Sequence, residues 1–368
     1  MNVAVLGGGN GSYATAADLA LAGHRVRLWR RAGAELDDVR KAGGITLEAE
    51  ERRGLARLDA AAADLGEALR EAEVVVVPLP ATTHEDVAKR LGERLTGREI
   101  VLLTPGTLGS FVMARVIARA GGTLPLAFAE TGTLPYLARK TGPAAVSAPV
   151  RAANLPTGVF PAARTKPVLD RLRALFPVIR PCVDALDAAL TNVGPVIHPP
   201  LVLVNASSID AGRFDIHAAG TSPSARRLID AVDGERIASR TGLGYPPPHY
   251  EMATYYDEAR AAEGLYGAGA RAKLEASGLW RETLTYEHRY VTEDVALGLT
   301  LLESAGRTAS LATPAVSGLL GVFGAILGRD LAGGRAMDHL GLGDLTLREL
   351  RAFFHDGWES PAWSRVIR

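Results

Sequence analysis

VAVLGGGNGSYATAADLALAGHRVRLWRR, Val3 to Arg31, decides the fold. Val3–Leu6 reads as a buried strand, and GGGNGS as the turn into a helix that runs through YATAADLALA and stops at Gly23. Gly7 allows the tight turn, and Gly9 lets a backbone approach a diphosphate. Asn10 and Gly11 belong to the same cofactor-binding turn, and Ser12 takes the small third position where helix and strand pack closely. Free N–H groups at such a helix start face an anion. The pattern is G-x-G-x-x-S, and its place between a strand and a helix gives it its meaning.

RVRLW, Arg25 to Trp29, is the second strand, followed by Arg30 and Arg31. A carboxylate at this strand end accepts from a free ribose 2′-hydroxyl, whereas a guanidinium pairs a 2′-phosphate. Two arginines and no acid favour NADP(H) over NAD(H). The alternative is that both arginines are solvated.

The chain has 368 residues, 47% apolar and 22% charged, which indicates an ordinary globular protein of two domains. Lys plus Arg and Asp plus Glu are 41 each, so no basic field is available for nucleic acid. The single cysteine, Cys182, excludes internal disulfides and thiolate clusters, and with no H-E-x-x-H pattern or carboxylate cluster no catalytic metal is expected. No positive region precedes the glycines, so a cytoplasmic protein without a secretory signal is expected. LATPAVSGLLGVFGAIL, Leu311–Leu327, is uncharged but broken by Pro314 and glycines; it reads as a buried helix, not a membrane span.

VAVL, RVRLW, VVVVP, IVLLT and PLAFAE alternate with helical stretches, the pattern of a parallel, doubly wound α/β sheet. ITLEAEERRGLARL, Ile45 to Leu58, is expected to form a hairpin beside that sheet with its turn at Arg53–Gly54. Beyond Asp184 helical patterns take over. The expected architecture is an N-terminal Rossmann domain over 1–184 and an all-helical substrate domain over 185–368, without internal repeats.

Three stretches of the second half place reactive residue types in apolar frames: TNVGPVIHPPLVLVN (Thr191–Asn205), TSPSARRLIDAVDGE (Thr221–Glu235) and HRYVTEDVALG (His288–Gly298). With GGGNGS, VVVVPLPATTHED, LLTPGTLGS and AETGTLPYLAR they resemble, in order and over nearly the whole chain, the octopine/nopaline dehydrogenase family. The resemblance implies a reductase that joins an amino acid's amine to a 2-oxo acid and reduces the imine with a nicotinamide cofactor. It implies His198 as acid/base, Asp294 as its carboxylate partner and Arg289 as a carboxylate anchor. Asn192 and Thr221 join Arg289 as substrate contacts, and Pro78 joins the glycine turn and both arginines around the cofactor.

The chemistry fits those roles. Carbinolamine formation and loss of water both need a proton, and a histidine, ordinarily titrating near ~6.5, can hold and return one. Each residue also has a plainer reading: His198 as a helix-start residue before two prolines, Asp294 or Thr292 as a helix cap, Asn192 closing a turn, His288 on the surface. RFDIHAAGTSP, Arg213 to Pro223, departs from the family where His217 stands, which leaves the side-chain preference open between a polar pocket and a loop. Direct carbonyl reduction by a 2-oxo or 3-hydroxy acid dehydrogenase, or a catalytically silent NADP(H)-binding regulator, are the alternatives. The C-terminal helices either bury a homodimer surface or complete the core.

Overall fold

The computed structural model describes the chain except residues 213–214, 281–283 and 332, so the first two residues of the Arg213–Pro223 stretch lie outside the described residues. Its strands are β1 (Asn2–Leu6), β2 (Arg25–Trp29), β3 (Ile45–Ala49), β4 (Arg53–Ala56), β5 (Ala60–Ala62), β6 (Val74–Val77), β7 (Ile100–Leu103), β8 (Ala127–Thr131), β9 (Tyr136–Gly142), β10 (Ala145–Arg151), β11 (Leu155–Phe160) and β12 (Ile179–Pro181). Eight form one sheet in the order β12-β11-β8-β7-β6-β1-β2-β5. All neighbours are parallel except β11, which runs against β8.

β1, β6 and β7 are buried throughout or nearly so, because helices cover both faces; this is why VVVV and IVLL are unbroken apolar runs. The chain leaves β1 towards β2 on one side and returns to β6 on the other. The carboxyl ends of β1 and β6 therefore flank a crevice, the usual ligand site of such sheets.

The Ile45–Leu58 hairpin exists, but it belongs to a second sheet in the order β4-β3-β10-β9, and its turn falls at Glu50–Arg52, ahead of Arg53–Gly54. The helix Asn10–Leu21 packs between the two sheets, which explains its many buried small residues. Asp18, inside that helix, is matched by Arg52 at 2.8 Å, Arg151 at 3.0 Å and the Tyr136 hydroxyl at 2.7 Å.

Beyond Asp184 every regular element among the described residues is helical. The expected helix through VTEDVALGLTLLESAG is broken into Arg289–Thr292, a wide π-turn Asp294–Leu299 and Thr300–Thr308. Pro314–Leu327 is one helix, not wholly buried as expected: Val322 and Ile326 face outward, because only one side of it meets the domain core. No helix among the described residues is long and apolar enough to cross a membrane. The last helices, Leu347–Asp356 and Trp363–Val366, return to the first domain, where Phe353, Phe354 and Trp363 meet Phe111 and Phe160 edge-on or tilted.

Candidate active site

The glycine turn has the space its sequence calls for. Gly7 has φ +113°, and a Cβ there would lie 2.6 Å from both Leu79 and the Ser12 hydroxyl. A Cβ on Gly9 would meet nothing within 4 Å, so its backbone borders open groove. Ser12 is fully buried and donates to the Leu6 carbonyl at 3.2 Å. The first amides of the helix have no carbonyl a turn earlier to bond, and with the Gly9 space they fit a diphosphate.

Arg30 lies over Gly8, where a Cβ would come within 2.5 Å of its side chain, and it is ion-paired to Glu35. Arg31 is turned away, 73% exposed and 3.4 Å from Asp86. A second cation stands at the turn unannounced by the sequence. Lys140 of β9 donates its amide to Asn10 Oδ1 at 2.8 Å, sets its ammonium 3.5 Å from the Gly8 carbonyl and 3.9 Å over the Tyr13 ring, and is held below the usual lysine range by burial and by Arg30.

Across the cleft, His198 sits in the helix Gly194–Val204, whose continuity Pro199 and Pro200 weaken by removing two donors. His198 Nδ1 and Asp294 Oδ2 are 2.7 Å apart, which leaves Nε2 for the cleft. The Tyr290 ring stacks on the imidazole at 3.6 Å and 13°, and the Tyr290 hydroxyl bonds His217 Nε2 at 3.0 Å. The acid is aimed by the π-turn that begins at Asp294. Gly298 presses so closely on Pro195 that a Cβ would meet it at 2.2 Å, joining the turn to the helix that bears His198.

Burial drives His198 well below its ordinary range, helped by Arg289, and raises Asp294 to about 7 against the pull of Arg289 and His288. Both members of the pair thus resist charge.

These features sit in a cleft of about 320 Å³ reaching from Gly9, Asn10 and Gly11 past Pro78 to His198, Arg289 and Asp294. A family model described as NAD/NADP octopine/nopaline dehydrogenase, alpha-helical domain, matches residues 181–327, and one described as NAD-dependent glycerol-3-phosphate dehydrogenase N-terminus matches 2–115. The opine dehydrogenase of Arthrobacter sp. is 29% identical over 95% of this chain and 97% of its own. The helical half therefore matches the octopine/nopaline dehydrogenase model, and the whole chain is similar to an opine dehydrogenase.

The vitopine synthase of Allorhizobium ampelinum is 26% identical over 76% of this chain and 77% of its own. An octopine dehydrogenase structure in complex with NADH and agmatine superposes with a TM-score of 0.72 at 19% identity, covering 95% of this chain and 97% of that one, so the two share the fold. On this similarity the protein is an NAD(P)-dependent oxidoreductase acting on a CH–NH group.

In this octopine/nopaline dehydrogenase relative the other expected residues are distributed unevenly. Arg289 and Pro78 line the cleft. Asn192 lines it too, but its amide is engaged, accepting from Gly194 N at 2.9 Å and donating to the Thr107 hydroxyl at 3.3 Å. Thr221 is not brought to the cleft wall; its hydroxyl closes a loop on the carbonyls of Ile216 and His217. His288 caps the helix Arg289–Thr292, accepting from Tyr290 N. His217 is drawn down to about 3 by burial, so it is neutral and supports Tyr290. Tyr290, Lys140 and Arg139 escaped the sequence reading, although RYVTEDV contains the first and the AETGTLPYLAR stretch runs to the third.

Proposed function

We propose that the protein condenses the amine of an amino acid with a 2-oxo acid and reduces the resulting imine to a secondary amine dicarboxylate. The reading rests on one observation: an oriented His198–Asp294 pair and Arg289 share a single cleft with the glycine turn. A nicotinamide cofactor bound there supplies hydride to the imine carbon. His198, its Nδ1 engaged by Asp294, delivers a proton from Nε2 to the carbinolamine hydroxyl so that water leaves, and in the reverse direction removes a proton from the attacking water. Arg289 offers a planar fork to the carboxylate of the oxo acid. Arg139, stacked 4.4 Å from the Trp280 ring, gives the cleft a second guanidinium for a product with two carboxylates.

The far wall, made by Tyr250, Met252, Tyr255, Leu265, Tyr266 and Trp280, favours an amino acid with a bulky apolar side chain. Two arginines in the same cleft disfavour a cationic one. NADP(H) is favoured over NAD(H), because Arg30 and Lys140 crowd the turn with positive charge that a 2′-phosphate relieves. The outward Val322 and Ile326 of the helix Pro314–Leu327 favour a homodimer, which sedimentation tests; a monomer at micromolar concentration overturns it.

The test of function is oxidation of NADPH and, in parallel, NADH, with a panel of 2-oxo acids, each with and without leucine, phenylalanine, glutamate or arginine. Oxidation that needs both partners is expected, fastest with phenylalanine or leucine. Oxidation by an oxo acid alone points to a simple dehydrogenase. Cofactor binding without turnover points to a sensor.

A further inference from the structure

Ala81 follows Pro78-Leu79-Pro80, a stretch of the first domain that lines the cleft, and both of its main-chain polar groups are gripped by charged side chains of the helical domain. Its N–H donates to Glu293 Oε1 at 2.8 Å, and its carbonyl accepts from Arg335 Nη2 at 2.6 Å. Nη1 of Arg335 donates to the carbonyls of Thr107 at 2.6 Å and Gly106 at 3.0 Å, in the loop that follows the cleft-lining Thr104 and Pro105. One guanidinium thus holds two cofactor-side loops.

Both grips start from the π-turn that carries Asp294. Glu293 is its chain neighbour. Arg335 donates its own amide to the Thr300 hydroxyl at 3.0 Å, just past the turn, and Gly334 lies so close to the Ala296 carbonyl that a Cβ would sit 1.9 Å away. Arg335 is buried and among the described residues pairs with no carboxylate within ion-pair distance. Glu130, buried beneath the same loop and holding the amides of Leu108 and Ser110 at 2.7 and 2.8 Å, supplies negative field from further off. A buried cation that bonds three carbonyls and meets His84 Nδ1 at 3.4 Å, all in another domain, is a costly way to pack a core, but a direct way to fix distance and angle between two domains.

We propose that Glu293 and Arg335 are positioning residues that set the His198–Asp294 pair in register with the cofactor-side loops by clamping Ala81 and the Gly106–Thr107 carbonyls. The proposal rests on the reductive function given above. Glu293→Ala removes an acceptor, Glu293→Gln restores one, and Arg335→Lys keeps the charge but loses the planar fork.

If the clamp sets the register, Glu293→Ala and Arg335→Lys lower kcat by about 10- to 100-fold, since a displacement of ångström size costs that much. NADPH affinity, read by cofactor fluorescence, stays within about twofold because the diphosphate turn is untouched. Glu293→Gln regains most of the loss, and the isotope effect with 4-deuterated NADPH grows in the impaired variants as hydride transfer becomes limiting. A kcat within threefold of the parent in both variants overturns the proposal. So does a loss of kcat matched by the loss of cofactor binding, or one that glutamine does not repair.

Hydrogen exchange of peptides spanning 78–84 and 104–110 in the NADPH-bound protein gives a reading free of turnover. Faster exchange of 78–84 in both variants, and of 104–110 in Arg335→Lys, supports the clamp, and exchange unchanged in any of these overturns it. If the parent itself turns over no substrate pair, the reductive function fails, and exchange alone decides the clamp.

Discussion

His198 has its freedom removed from three sides: Asp294 on Nδ1, the Tyr290 ring on its face, and His217 behind the Tyr290 hydroxyl. Such a ring is prepared to move a proton without first finding its orientation. His198→Asn is expected to lower kcat about 10²- to 10⁴-fold while NADPH affinity is unchanged. The pH dependence follows from burial. With Asp294 raised to about 7, the pair gives up its proton near neutrality, so condensation slows as pH rises through that value while the reverse oxidation speeds up. Rate–pH profiles in both directions check this, and Asp294→Asn should remove the limb near 7. Arg289→Lys should raise KM for the oxo acid roughly 10-fold or more, because an ammonium cannot replace two parallel charge-assisted hydrogen bonds. An unchanged KM would exclude the anchor role.

Among the elements, the wide turn Asp294–Leu299 carries most of the functional consequence, and its sequence looks like ordinary helix. VALGL has helical spacing, and the Pro195 that packs against Gly298 of the turn is remote in the chain. The hairpin β9–β10 was missed for a related reason. Its alternation is interrupted by polar and proline residues, and its burial depends on β3 and the helix Asn10–Leu21. That hairpin brings Arg139 and Lys140 to the site.

At the junction of the halves, Asp184 caps the helix Ala185–Ala189, accepting from Asp187 N at 2.9 Å and from the Tyr245 hydroxyl at 3.0 Å. Burial raises its carboxyl from 3.8 to about 7. Raised this way, the group adds stability below its unfolded value, and that contribution is lost as pH climbs to the folded one. Asparagine keeps the cap and does not titrate. The stability of Asp184→Asn relative to the parent should therefore increase between about pH 4 and 7, then level off, in urea melts across that range. A difference independent of pH would mean that the carboxylate stays ionised in the fold.

For the molecule as a whole, the chain crosses between its halves more than once. After the helical domain it returns to lay Phe353, Phe354 and Trp363 against Phe111 and Phe160, so the expected boundary at residue 184 leaves out a terminal segment packed on the first domain. Phe353→Ala should cost about 3 to 5 kcal/mol in urea unfolding, the usual loss for a buried phenylalanine. It should do so without altering KM for either substrate, since this aromatic cluster stands apart from the cleft wall.

The sequence alone determined whatever is local. A strand, a glycine turn and a helix must be contiguous to bind a diphosphate, so Val3–Arg31 declares them, and apolar runs buried on both faces declare the central strands. It also carried His198, Asp294 and Arg289, each inside a recognisable motif. Only the tertiary structure decided which of these work together and what holds them. His198 and Asp294 stand 96 positions apart, Lys140 reaches the turn 132 positions from Gly8, and Glu293 grips Ala81 across 212. Periodicity reports how one segment meets water or core, but a hydrogen bond between distant segments leaves no trace in either until both are folded.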